Sequence, residues 1–180
     1  MTNATGRATL GPQVVEQAVF AKALLGEGLP PEAERHLRQA GLFYHMDDIA
    51  ETHLLKAQAL APEHAAVLIG LYRFYFYKGR LSAALDIAMT CLTKAAQENN
   101  LPNDWRNLKA GDAMFSSYDD MPLRFFLFAL KGYAYLQMRL GNVDEGLIAI
   151  QKLLELDPTD KIGSRVLLEV IQRMGADDDL

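Results

Sequence analysis

The apolar positions of residues 141–160, GNVDEGLIAIQKLLELDPTD, recur at helical spacing from Val143 to Leu156, between a Gly141-Asn142 turn and an Asp157-Pro158 stop. The same alternation of periodic stretch and breaker runs along the chain. It predicts helices near 12–25, 31–44, 47–60, 63–78, 81–97, 122–140, 143–156 and 160–173. Pro12 at the first helical position and Gly26 after the last bound the first of them. Asp119 or Asp120 is the expected cap of the helix that opens on Met121-Pro122, and Thr159 or Asp160 that of the final helix. The fold class is all-α. Within 63–78, Leu68, Leu71, Tyr72 and Tyr75 form one stripe, and Ile69, Arg73, Phe76 and Tyr77 form a second beside it. A helix with two apolar stripes is either sandwiched or carries a binding face.

The punctuation repeats. Aligning residues 141–160 with 78–99 sets Gly141 on Gly79, Gly146 on Ala84, Ile150 on Ala88 and Leu153 on Cys91. Aligning 45–64 with these sets Ala50 on Ala84, Ala57 on Cys91, and Pro62 on Pro158. The unit is therefore helix, tight turn, helix, Pro, with small residues where two helices cross, and it occurs at about 31–64, 65–98 and 127–160. Residues 1–11 are expected to be disordered, 12–174 to form one domain, and 175–180 to be an acidic tail. Residues 99–126 interrupt the array with turn markers at Pro102, Gly111 and Pro122, yet carry Trp105, Phe115 and Tyr118. Aromatics at that density point to an ordered excursion packed on the array, and one that could cover Phe76 and Tyr77.

Composition narrows the function classes. The net charge is −5, which disfavours a phosphate backbone as partner. A single cysteine, Cys91, excludes an intramolecular disulfide and fits a reducing, cytoplasmic location. No apolar run is long enough for a membrane span. His36, His45, His53 and His64 stand singly, without metal-ligand spacing, and read as surface or capping residues. Cys91 falls at a small helix-crossing position with no histidine predicted beside it. The GEG at 26–28 follows a helix, so the dinucleotide fingerprint fails on context, and the paired aspartates of YDDM (118–121) read as a helix cap. No catalytic constellation, metal site or cofactor is expected, and the chain reads as a non-enzyme.

The repeat resembles the tetratricopeptide (TPR) family through Leu68, Leu71, Tyr75, Gly79, Ala84 and Cys91 in the second unit. In the third it does so through Leu130, Tyr133, Ala134, Gly141, Gly146, Ile150, Leu153 and Pro158. The first unit departs from the pattern at Gly41 and at His45, which replaces the turn glycine. The resemblance implies an antiparallel helix-pair solenoid of three repeats with terminal capping helices and a 28-residue insertion before the third. It further implies a concave groove that binds another protein as an extended peptide or amphipathic helix. The groove residues carried over are Arg35, His36, Gln39 and Phe43, then Ile69, Arg73, Phe76 and Tyr77, then Lys131, Tyr135, Met138 and Arg139. Arg35, Arg73, Lys131 and Arg139 would make it cationic, suited to acidic and hydrophobic partner residues. The Lys and Asn pattern of the subclass that clamps heat-shock C-termini is absent. An incompletely capped end face leaves open a homodimer.

Three roles fit. The leading one is a bacterial adaptor or assembly factor. A type III secretion translocator-type chaperone shares the size and acidity, although the insertion breaks the contiguous repeats of that class. The run from Leu101 to Gly141 also resembles TPR proteins encoded near nitrogen-fixation genes, which implies an accessory role in nitrogenase maturation.

Overall fold

A computed structural model describes residues 28–117 and 119–177, with side chains to 174. The expected helix near 12–25, the N-terminal segment 1–11, Tyr118 and the end of the acidic tail lie outside the described residues. Seven α-helices account for the described chain: α1 (Pro31–Leu42), α2 (Asp47–Leu60), α3 (Ala65–Tyr77), α4 (Leu81–Glu98), α5 (Met121–Arg139), α6 (Val143–Leu156) and α7 (Arg165–Asp177). No strand occurs among the described residues. The fold is all-α. Helices α1–α2, α3–α4 and α5–α6 form hairpins, and α4 also packs along α5.

Two hairpin turns share one mechanism. Gly79 (φ 72°) and Gly141 (φ 91°) take the left-handed conformation that a Cβ penalises. Each closes a Schellman turn: the Arg80 N–H donates to Tyr75 O and the Asn142 N–H to Gln137 O, both at 2.8 Å. The first hairpin has His45 instead of glycine and uses a longer connection, with the Met46 N–H donating to Phe43 O at 2.8 Å.

The small positions are where the helices cross. Ala50, Ala57 and Ala84 are wholly buried, and Cys91 nearly so. Gly146 sits so close to α5 that a Cβ would collide with Met138 Cγ and lie 2.9 Å from Ala134 O. Asp120 caps α5 by accepting from the Leu123 N–H at 3.1 Å, as its position before Met121-Pro122 predicts. The last helix begins later than the predicted 160. Asp160 (φ 53°) and Gly163 (φ 76°) are both left-handed, so the chain turns twice before it can wind. The Asp160 carboxylate nevertheless reaches the start of α7, accepting from Ser164 N–H at 2.5 Å and Arg165 N–H at 3.2 Å.

The excursion is ordered. Asn100 (φ 54°) ends α4, and a single 3₁₀ turn, Trp105–Asn107, follows. Trp105, Leu108 and Phe115 are buried. Trp105 meets Tyr133 edge to face at 5.9 Å, and Phe115 lies 6.4 Å from Phe126. Lys152 Nζ donates to Leu108 O at 2.7 Å and Lys161 Nζ to Ser116 O at 2.8 Å, tying the segment to α6 and to the turn before α7.

Candidate functional site

On the other side of α5 the surface opens. A cavity of about 370 Å³ lies between α3, α5 and α7, with Ala88 and Cys91 of α4 at its floor. Helix α3 contributes the second stripe of the sequence, Ile69, Arg73, Phe76 and Tyr77, together with Tyr72. Helix α5 contributes Phe125, Phe128, Ala129, Gly132 and Tyr135, one row at intervals of three and four. Val166, Leu167 and Val170 of α7 close the remaining wall. Among the described residues, the part of the excursion ahead of α5 contributes nothing to this lining; Phe125, inside the 99–126 stretch, enters it as part of α5, and Tyr77 stays exposed.

The wall is an aromatic ladder. Tyr72 stacks on Phe76 at 5.8 Å, and Phe76 reaches Tyr135 across the cavity at 5.7 Å. Gly132 permits this approach, because a Cβ there would stand 2.8 Å from the Tyr72 hydroxyl. Burial raises the Tyr72 phenol above its ordinary value. Burial likewise pushes the Cys91 thiol up to about 12, so the group is a protonated, apolar part of the floor. A nucleophilic role would need the opposite shift.

The charges differ from the expectation of a cationic groove. Arg73 lines the cavity, is half-buried, and has no hydrogen bond or ion pair among the described residues. Lys131 also reaches it but is buried, and its Nζ donates to Ile162 O at 2.9 Å, which fixes the loop ahead of α7. Arg139 is exposed and donates to the Tyr135 hydroxyl at 2.7 Å without lining the cavity. Arg35 lies on α1 beside Glu32 at 3.5 Å, outside the cavity.

Of the other residues carried over, Gln39 and Phe43 also lie outside the cavity, and Phe43 stacks on His53 at 6.2 Å. Met138 is fully buried beneath Gly146, because its position on α5 faces the crossing with α6. Six predicted residues therefore come together: Ile69, Arg73, Phe76, Tyr77, Lys131 and Tyr135. Tyr72, a core-stripe residue by sequence, also lines the cavity, and Phe125, Phe128 and the α7 wall join it unanticipated. The three-and-four spacing from Phe125 to Tyr135 was the available signal.

The histidines pair and cap. His64 caps α3, accepting from the Ala66 N–H at 3.1 Å, while His36 and His53 share one hydrogen bond, Nδ1 to Nδ1, at 2.9 Å. No group of three or more metal-ligating side chains occurs among the described residues.

A curated relative from Azotobacter chroococcum mcd 1, an uncharacterised 19.8 kDa protein in the nifW 5′ region, is 40% identical over 134 residues. That alignment covers 74% of this chain and 75% of the relative. The chain belongs to that protein's family. No family model, that of the tetratricopeptide repeat included, matches the chain, and no solved structure matches it. The nitrogen-fixation neighbourhood anticipated from the run 101–141 thus has a counterpart in a family member. No described helix is long and apolar enough to cross a membrane.

Proposed function

We propose that the chain is a TPR-like, non-enzymatic module that holds a segment of a partner protein against the α3–α5–α7 groove. The observation that carries this reading is the aromatic ladder Tyr72–Phe76–Tyr135 flanked by an arginine without a partner among the described residues. Aromatic and arginine side chains that can be desolvated together dominate protein interfaces. The buried small residues at equivalent places in three hairpins support the TPR-like assignment. The partner segment is amphipathic and largely apolar, with a carboxylate set against Arg73. Because only two of the four expected cations line the cavity among the described residues, and Lys131 is held at Ile162 O, added salt weakens binding only modestly.

The relative's position in the nifW 5′ region supports an accessory role in nitrogen fixation, in the bacterial cytoplasm, over that of a type III secretion chaperone. The test is a pull-down from native cell extract with the wild type and with Arg73→Ala/Tyr135→Ala, both first verified as folded. Loss of the partner in the double variant is expected. Equal recovery of the same partner would remove the groove as the site.

A further inference from the structure

The cavity beneath the groove is itself a ligand site in size and chemistry. A helix with its side chains is about 10–12 Å across, so a docked helix lies over the mouth and cannot enter. A volume of about 370 Å³ falls within the range of small-molecule sites, and the interior is built of rings, alkyl groups and a protonated thiol. Among the described residues its lining includes no carboxylate side chain. Of the two cations that reach it, Lys131 is committed to Ile162 O, which leaves Arg73 as the group facing an apolar chamber uncompensated among the described residues.

We infer that this cavity binds a hydrophobic monocarboxylate, with an acyl or aryl chain between Phe76, Phe128 and Tyr135 and the carboxylate on Arg73. The inference rests on the groove being the binding site, as in the protein-binding reading, but adds a free small molecule to it. Three features select the class. The guanidinium fork takes both oxygens of a carboxylate by parallel hydrogen bonds. With Lys131 Nζ held at Ile162 O, the Arg73 fork is the donor set left facing the chamber among the described residues, and it matches one carboxylate, whereas a phosphate would call for more donors. The same rings could cage an alkylammonium through their faces, but Arg73 in the wall repels a cation.

The test uses the full-length protein and three ligands of equal chain length: decanoate, decan-1-ol and decyltrimethylammonium, each below its micelle concentration. Isothermal titration calorimetry should give one site for decanoate, about tenfold or more tighter than decan-1-ol, as expected for a charge-assisted hydrogen bond. Decyltrimethylammonium should bind weakest. Arg73→Gln should abolish the margin between decanoate and decan-1-ol while leaving the alcohol's affinity unchanged. Ala129→Phe, which fills the cavity from a half-exposed position, should lose both ligands at a retained melting temperature. Equal binding of acid and alcohol to the wild type, a margin that survives Arg73→Gln, or decanoate binding intact in folded Ala129→Phe would each overturn the inference. The failures separate cleanly. If decanoate does not bind but the pull-down fails with Arg73→Ala/Tyr135→Ala, the cavity serves a partner side chain and the protein-binding reading stands alone. Decanoate binding with an unaffected pull-down gives the converse.

Discussion

Helix α5 presents aromatics to two sides, and the two sides do opposite things. Toward α6 and the excursion, Tyr133 lies against Trp105, its hydroxyl donates to Glu145 at 2.6 Å, and Arg106 covers the Trp105 ring while also pairing with Glu145. Toward α3 and α7, Phe128 and Tyr135 face a cavity with Arg73. Both sides are built from rings and an arginine. On the first, the arginine is paired and the rings are covered, and the result is structure. On the second, Arg73 has no partner among the described residues and a cavity remains between Phe76 and Tyr135, which makes this side the candidate site. Composition alone does not distinguish cement from site; satisfaction of the polar groups does.

The sharpest way to break this comparison is to remove the covered side. Trp105→Ala should cost about 3–5 kcal/mol by urea denaturation, as for a buried aromatic truncated in a core. If instead the excursion is a loose flap, the loss will be small and the two sides will be alike. Gly146→Leu, beside Glu145 at the α5–α6 crossing, should destabilise by about 1–3 kcal/mol or more, with Ala84→Leu at the α3–α4 crossing in the same range. Thermal melts at wild-type stability for both would remove the close crossings from the account.

Smaller changes sharpen it. Glu145→Gln weakens the acceptor of both Tyr133 and Arg106 and should cost about 1 kcal/mol in denaturant melts. Arg73→Gln, on the open side, should leave stability within about 0.5 kcal/mol of wild type in the same melts while impairing binding. A large stability loss at Arg73 would mean that it holds the fold.

The first hairpin supplies the gentlest case, a contact satisfied only at the right proton count. The His36 and His53 Nδ1 atoms share one proton, and burial, followed by His36, Lys56 and Arg35, lowers the His53 pKa. The unfolded chain therefore binds a proton at His53 more readily than the folded one. Stability should be flat above the unfolded value of about 6.5 and decline as pH falls from there toward the lower folded value. His53→Gln should flatten that dependence in melts across the pH range.

Helix positions were legible because periodicity and breakers agree locally. Gly79, Gly141, Asp120 and the crossing residues Ala84 and Gly146 each act as their sequence context predicts. Asp160 was legible as a cap of α7 but the helix start was not, since the left-handed Asp160 and Gly163 put a loop between them that Lys131 of α5 holds through Ile162 O. The α3 wall of the candidate site was legible through that helix's second stripe. The rest depended on facts between helices: Lys131 turns to Ile162, Met138 turns to Gly146, and α7 supplies a wall. A single helix's periodicity cannot report which neighbour its side chains will meet.

We expect the partner to dock on the α3–α5–α7 side and to leave the excursion side free. Photo-crosslinking in native cells can decide this, with p-benzoylphenylalanine placed at Tyr77, which is 37% exposed beside the cavity, or at Met114, which is 76% exposed on the excursion. Position 77 should give a crosslinked protein adduct and position 114 none. An adduct from 114 with none from 77 would contradict it.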